Sequence, residues 1–122
     1  MTGPRFLLDT NVVIGVVKGF EPARSLIDSH GAHPDDCVIS QISRMELLSF
    51  SIISSAEEAV IEALLSAVSV ILLDERIEQE AIALRRRCRL KLADAVIAAT
   101  ATVHGLTLLT LDERLGAALT KK

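Results

Sequence analysis

A chain of 122 residues, half of them hydrophobic but with only three phenylalanines and no tryptophan or tyrosine, points to one domain with an aliphatic core. A formal net charge of −3 does not mark a globally basic nucleic-acid binder, and no apolar run approaches the roughly 20 residues of a membrane span. Two cysteines, Cys37 and Cys88, make neither a disulfide framework nor a CxxC motif.

The N-terminal stretch Met1-Thr2-Gly3-Pro4-Arg5 has no apolar signal core, so a cytoplasmic location is expected. Phe6, Leu7 and Leu8 form a run too short for a helix and too apolar for a half-exposed strand. It reads as a central strand of a parallel sheet, buried on both faces. Asp9, Thr10 and Asn11 follow where that strand ends. In an open α/β sheet the carboxyl ends of the strands form the ligand crevice, and a carboxylate there can hold a cation. The same residue types also lead the ranking of helix N-caps, so Asp9 by itself decides nothing.

A first helix is expected to run to about Lys18, stopped by Gly19, and a second from near Pro22 to before Gly31. His30 and His33 flank that glycine with no third ligand nearby and do not read as a zinc site. A polar connection, 32–36, leads to a second strand at Cys37-Val38-Ile39. Ser43-Arg44-Met45-Glu46 matches a capping box and opens a helix; Ser55-Ala56-Glu57-Glu58 matches another. Val60, Leu64 and Val68 then recur as an apolar stripe with Ile61 and Leu65 beside them.

A third strand is expected at Val70 to Leu73, with Asp74 capping a helix whose core face is Ile77, Ala81, Leu84 and Cys88. Arg85, Arg86, Arg87, Arg89 and Lys91 crowd its end, either as a solvated face or as the local footprint of a phosphate-binding surface. An alanine-rich helix, Ala93 to His104, is closed by Gly105. Thr107 to Leu109 is the fourth strand, and Thr110-Leu111-Asp112-Glu113 a last capping box before a helix ending at Lys121-Lys122. Strands alternating with helices, with no repeat or linker, mean a single α/β domain with a parallel sheet.

Acids collect at the strand ends. Asp9 follows the first strand, Glu46 lies one turn beyond the second, Asp112 follows the fourth, and Asp94 starts the helix that leads into it. Each also suits a helix start, where acids complement the dipole. Asp74 is a fifth such acid.

The segments 6–11, 42–47, 92–101 and 105–110 resemble, in order, the motifs of PIN-domain ribonucleases, above all VapC-type toxins of toxin–antitoxin pairs. The resemblance implies a three-layer α/β/α domain over residues 1–122 with strand order 3-2-1-4, which leaves Asp74 at the far edge as a cap. It implies Asp9, Glu46 and Asp94 as metal-binding, catalytic carboxylates, with Asp112 in the more variable fourth position. Thr10, Asn11 and Thr110 become polar supports. The cofactor would be Mg2+ or Mn2+ and the activity endonucleolytic cleavage of RNA. Arg85, Arg86, Arg87, Arg89 and Lys91 are candidates for RNA backbone contacts. A small VapB-like antitoxin is the expected partner, its helix accepted by apolar surface near Val12, Val13, Val16 or Met45, Leu48, Ile52. A homodimer is expected, on a face the sequence does not reveal. Relatives often carry Asn-x-x-Asp-Phe after the threonine, whereas this chain has Leu111-Asp112-Glu113-Arg114-Leu115, and many add a fifth strand.

Two other classes compete. A receiver-type phosphoacceptor domain needs an acidic pair after the first strand, which Asp9-Thr10-Asn11 lacks, and although Asp74 could be its acceptor no lysine follows the fourth strand until Lys121; a haloacid-dehalogenase phosphatase needs Asp-x-Asp, and Asn11 stands where the second acid should be. A non-catalytic interaction domain would use the acids only as caps.

Overall fold

A computed structural model describes residues 3–51 and 53–120. The chain runs β1 (Phe6–Leu8), α1 (Thr10–Val17), α2 (Glu21–Ser29), a 3-10 turn (Pro34–Asp36), β2 (Cys37–Ser40), α3 (Gln41–Ser49) and α4 (Ser55–Ala67). It continues through β3 (Ser69–Ile71), α5 (Glu75–Arg87), α6 (Leu92–His104), β4 (Thr107–Leu109) and α7 (Glu113–Thr120). The sheet is parallel throughout, in the expected order β3-β2-β1-β4. Phe6 of β1 is in register with Cys37 on one side and Thr107 on the other.

The central position of β1 explains its unbroken apolar sequence. Phe6 and Leu8 join Cys37, Ile39 and Leu109 against Val12 and Val13 of α1 and Ile61 of α4. Leu7 and Val38 face the other way, onto Ile97 and Ala101 of α6. Leu7 is fully buried, and its truncation to alanine would cost about 2–5 kcal/mol. On that second face Ala95, Ala98 and Ala99 let α6 pack closely on Ile77, Ala81 and Leu84 of α5. Gly105 ends α6 in the left-handed region at φ +64, its N–H donating to the carbonyls of Ala101 and Thr102. The crossing of α1 and α2 is closer still: a Cβ on Gly15 would lie 2.7 Å from Ala23 Cβ.

Several local expectations shift. The helix after β2 starts at Gln41, because Ser40 is its N-cap and accepts from the Ser43 N–H. Glu46 therefore lies in the second turn and caps nothing. The next box is formed by Ser54 and Glu57, one residue earlier than expected. Val60 points outward at 52% exposure; Ile61, Leu64, Leu65 and Val68 do the packing, Val68 from just beyond the helix. The third strand covers Ser69–Ile71 rather than Val70–Leu73, and Leu72 and Leu73 are exposed. Asp74 caps α5 as expected, its Oδ1 accepting from the Ile77 N–H. Cys88 is only half-buried, at the C-cap. Ile52 and the expected helix end at Lys121-Lys122 lie outside the described residues.

Candidate functional site

The sheet order places a topological switch point between β1 and β4, and Asp9 leads out of β1 into it. Pairing continues past the strands, with the Asp9 N–H donating to the Leu109 carbonyl at 3.0 Å. The side chain is 4% exposed and held at both oxygens. Its Oδ1 accepts from the Thr10 N–H at 2.7 Å, and its Oδ2 from the Thr110 hydroxyl at 2.7 Å. Burial is the main reason its pKa is raised; the Thr110 and Thr10 hydrogen bonds oppose that, and the charges of Asp94 and Glu46 add to it.

Thr110 also accepts the Asp112 N–H, so one hydroxyl joins β1 to the turn after β4. Asn11 ties the same turn to α1, its Oδ1 accepting the Leu111 N–H at 3.2 Å. Asp112 caps α7: its Oδ1 accepts from the N–H groups of Arg114 and Leu115. The expected Thr110-to-Glu113 box is thus replaced by a cap two residues later, because Thr110 is engaged with Asp9.

Glu46 is held from below by hydroxyls. Thr10 Oγ1 lies 2.6 Å from Glu46 Oε1 and 2.9 Å from Ser43 Oγ. A hydroxyl has a single proton, and an ionised carboxylate only accepts. Thr10 therefore donates to Glu46, and Ser43 donates to Thr10. Ser40 Oγ, 3.5 Å from Ser43 Oγ, closes the chain. Ser40 and Ser43 are fully buried.

Asp94 enters from the first turn of α6, half-buried. Burial raises its pKa most, followed by the charges of Asp112 and Glu46; Lys91 and Arg114 work in the opposite direction, and no hydrogen bond contributes. Asp9, Thr10, Asn11, Glu46 and Asp94 line one open cleft of about 480 Å³, with Phe50 and Ser49 at its side. Every donor in this set is a hard oxygen, the kind that suits Mg2+ or Mn2+. The part of the rise at Asp9 and Asp94 that comes from neighbouring acids is the repulsion that such a cation would relieve. Among the described residues no group of three or more His, Cys, Asp or Glu side chains is close enough to hold a metal ion as it stands. The donor chemistry fits a divalent cation, and the carboxylates would have to draw together on binding it.

A model of the PIN domain matches residues 6–118. The chain belongs to the PIN-domain family. Solved structures agree. A toxin–antitoxin complex from Klebsiella pneumoniae is similar at a TM-score of 0.72 and 32% identity, over 87% of this chain and 85% of that one. FitAcB from Neisseria gonorrhoeae gives 0.75 and 25%, over 93% and 92%. DNA-bound VapBC from Salmonella typhimurium gives 0.67 and 26%, over 84% and 83%. No curated protein matches. The family sets aside the receiver and dehalogenase alternatives.

The arginines do not join this cleft. Arg85, Arg86, Arg89 and Lys91 border a separate groove against α5 and the start of α6, and Arg87 lines smaller hollows beside it. Of the surface expected to accept a partner helix, Val12 and Val13 are in the PIN core and Val16 is half-buried, whereas Met45 and Leu48 are each 57% exposed. Ser40 carries no signal in the sequence, and Ser43 reads there only as the start of a capping box. Sequence reasoning also missed Arg114, a cation in the first turn of α7 that only the proximity of Asp94 makes meaningful. No helix among the described residues is long and apolar enough to cross a membrane.

Proposed function

We propose that this PIN domain, residues 1–122, is a metal-dependent endoribonuclease and the toxin of a VapC-type toxin–antitoxin pair, acting in the cytoplasm. It hydrolyses RNA to leave a 5′-phosphate and a 3′-hydroxyl. The observation that carries this reading is the pair of raised carboxyls, Asp9 and Asp94, at the β1/β4 crevice, with the charge of Glu46 acting on both. Caps have no reason to be gathered where they repel one another.

Asp9, Asp94 and Glu46 would hold the cation, with Asp112 reaching a second or weaker one through Oδ2, since Oδ1 serves the α7 cap. A bound Mg2+ or Mn2+ supplies countercharge to the cleft, polarises the phosphodiester and lowers the pKa of a water. Asp9 keeps a fixed orientation because donors from Thr10 and Thr110 hold both its oxygens. Glu46 has Oε1 occupied by Thr10, so Oε2 is the atom that positions the attacking water or takes its proton. Arg114 and Lys91, whose charges reach Asp94, hold the RNA phosphate on that side.

The repressive partner is a small VapB-like antitoxin. Its arginine or lysine enters the negative cleft in place of the cation, and Met45 and Leu48 on α3 receive its apolar helix face. Co-expression with the antitoxin should restore growth and yield a stable complex. The direct test is incubation of the purified chain with a structured RNA in Mg2+ and in chelator. Cleavage in Mg2+ alone is expected. Cleavage in neither would overturn the reading and leave a non-catalytic interaction domain; cleavage in both would overturn its dependence on metal.

A further inference from the structure

The wall of the acidic cleft is not polar throughout: beside the carboxylates it includes Ile14 and Phe50. Phe50 follows Glu46 by four residues on α3, and Ile14 follows Asn11 by three on α1. Residues so spaced share a helix face, so each helix carries an apolar group one turn beyond a polar one. Phe50 ends α3, its N–H donating to the Leu47 carbonyl at 3.4 Å. The Lys18 ammonium stands 5.8 Å from its ring centroid and donates to Glu57 of α4 at 3.0 Å. Aromatic rings are scarce in this chain. Of its three phenylalanines, Phe6 is buried in the sheet and Phe20 is the residue before α2. Phe50 is half-buried, yet among the described residues it belongs to none of the core clusters.

We infer that Phe50 is the platform on which a base of the RNA stacks, a purine next to the phosphate that is cut. The inference rests on the nuclease reading for its substrate. The carboxylate end of the cleft deals with the phosphate through a cation, but the base beside that phosphate is neutral and flat. It gains from a π-face, and stacking on aromatic side chains is how proteins commonly hold unpaired bases. Preferences among bases held this way follow stacking strength, which favours the two-ring purines. A base inside a duplex is already stacked on its neighbours, so this platform selects loops and single strands. A partner helix is the rival occupant of the ring. The exposed apolar residues of α3, Met45 and Leu48, lie on a different strip from Glu46 and Phe50, which leaves the ring to the substrate.

The chain has no tryptophan, so Phe50→Trp introduces a single indole whose fluorescence is quenched when a base stacks on it. The probes are oligoadenylate and oligouridylate in Mg2+, read by stopped flow before turnover. Oligoadenylate should quench at about tenfold lower concentration than oligouridylate. Phe50→Leu should lower kcat/KM about tenfold at purine-flanked sites through KM alone, and Phe50→Trp should keep the value of the unaltered chain. The rise in melting temperature with Mg2+ should be the same in Phe50→Leu as in the unaltered chain. No quenching, or equal quenching by the two oligonucleotides, would overturn the inference. So would a Phe50→Leu chain that cuts RNA as before but no longer holds its protein partner, which would assign the ring to that partner. Quenching by oligoadenylate together with no cleavage by the unaltered chain would uphold the stacking site and overturn the nuclease reading instead.

Discussion

In the cleft between β1 and β4, carboxylates line one hollow and are partly taken out of water; along α5, acids and bases lie mostly exposed. The first arrangement is costly without a counter-ion. Asp9 is 4% exposed and both its oxygens accept hydrogen bonds, yet burial and two neighbouring acids still push its pKa up. The second costs little, since exposed charge is well solvated. The α5 groove is the more spacious and more apolar of the two, but its arginines are exposed to solvent. Chemistry is better located by where charge is held against its preference than by the size of a hollow.

If that contrast is right, changes in the cleft should alter reaction and metal response, and changes on α5 should alter neither. Chelation of divalent metal should remove RNA cleavage altogether. Asp9→Asn and Asp94→Asn should each lower the cleavage rate by about a thousandfold in a single-turnover assay. Glu46→Gln keeps an oxygen for the Thr10 hydroxyl but loses the charge, and should cost about a hundredfold in the same assay.

Ser43→Ala removes the donor behind Thr10 and should weaken Mn2+ binding about tenfold by calorimetry, with about 1 kcal/mol lost in denaturant unfolding. Asp112→Asn preserves the α7 cap, because asparagine also accepts N–H groups, and its effect on cleavage should be smaller than that of Asp94→Asn. Arg87→Ala, in the smaller hollows beside the α5 groove, should leave the cleavage rate unchanged.

A pH titration separates the two regions in another way. A carboxyl whose pKa is higher folded than unfolded makes the folded chain bind more protons between the two values. Stability then falls as pH rises from near 3.8 through the raised folded value, and the cost persists above it. The metal-free chain should therefore lose stability across that window. Asp9→Asn and Asp94→Asn should flatten the loss, whereas Arg87→Ala should leave it in place. Melting curves across a pH series read the difference.

The sheet was legible in the sequence because β1 is buried on both faces and must be apolar at every position. Asp9 and Asp94 were legible because a strand end and an alanine-rich helix start are both short, marked stretches. The start of α3 was not, since Ser40 ends a strand and caps a helix at once, and the matching pattern at Ser43 and Glu46 concealed it. That same concealment made Glu46 look like a cap and hid the hydroxyl chain beneath it. Leu72 and Leu73 read as strand because apolar residues at an edge look like core until exposure is known. Arg114 lies two residues beyond Asp112 and twenty beyond Asp94, a separation that only the sheet order brings together.

The central claim is that Asp9, Glu46 and Asp94 repel one another until a divalent cation joins them. Thermal melting of the unaltered chain and of Asp94→Asn, each in chelator and in Mg2+, tests it most directly. In chelator, Asp94→Asn should melt at the same temperature as the unaltered chain or slightly higher, because one member of the repelling set is gone. In Mg2+ the unaltered chain should rise in proportion to RT ln(1 + [L]/Kd), and Asp94→Asn should rise much less. An equal rise in both, or a metal-free Asp94→Asn chain that melts well below the unaltered one, would contradict the account.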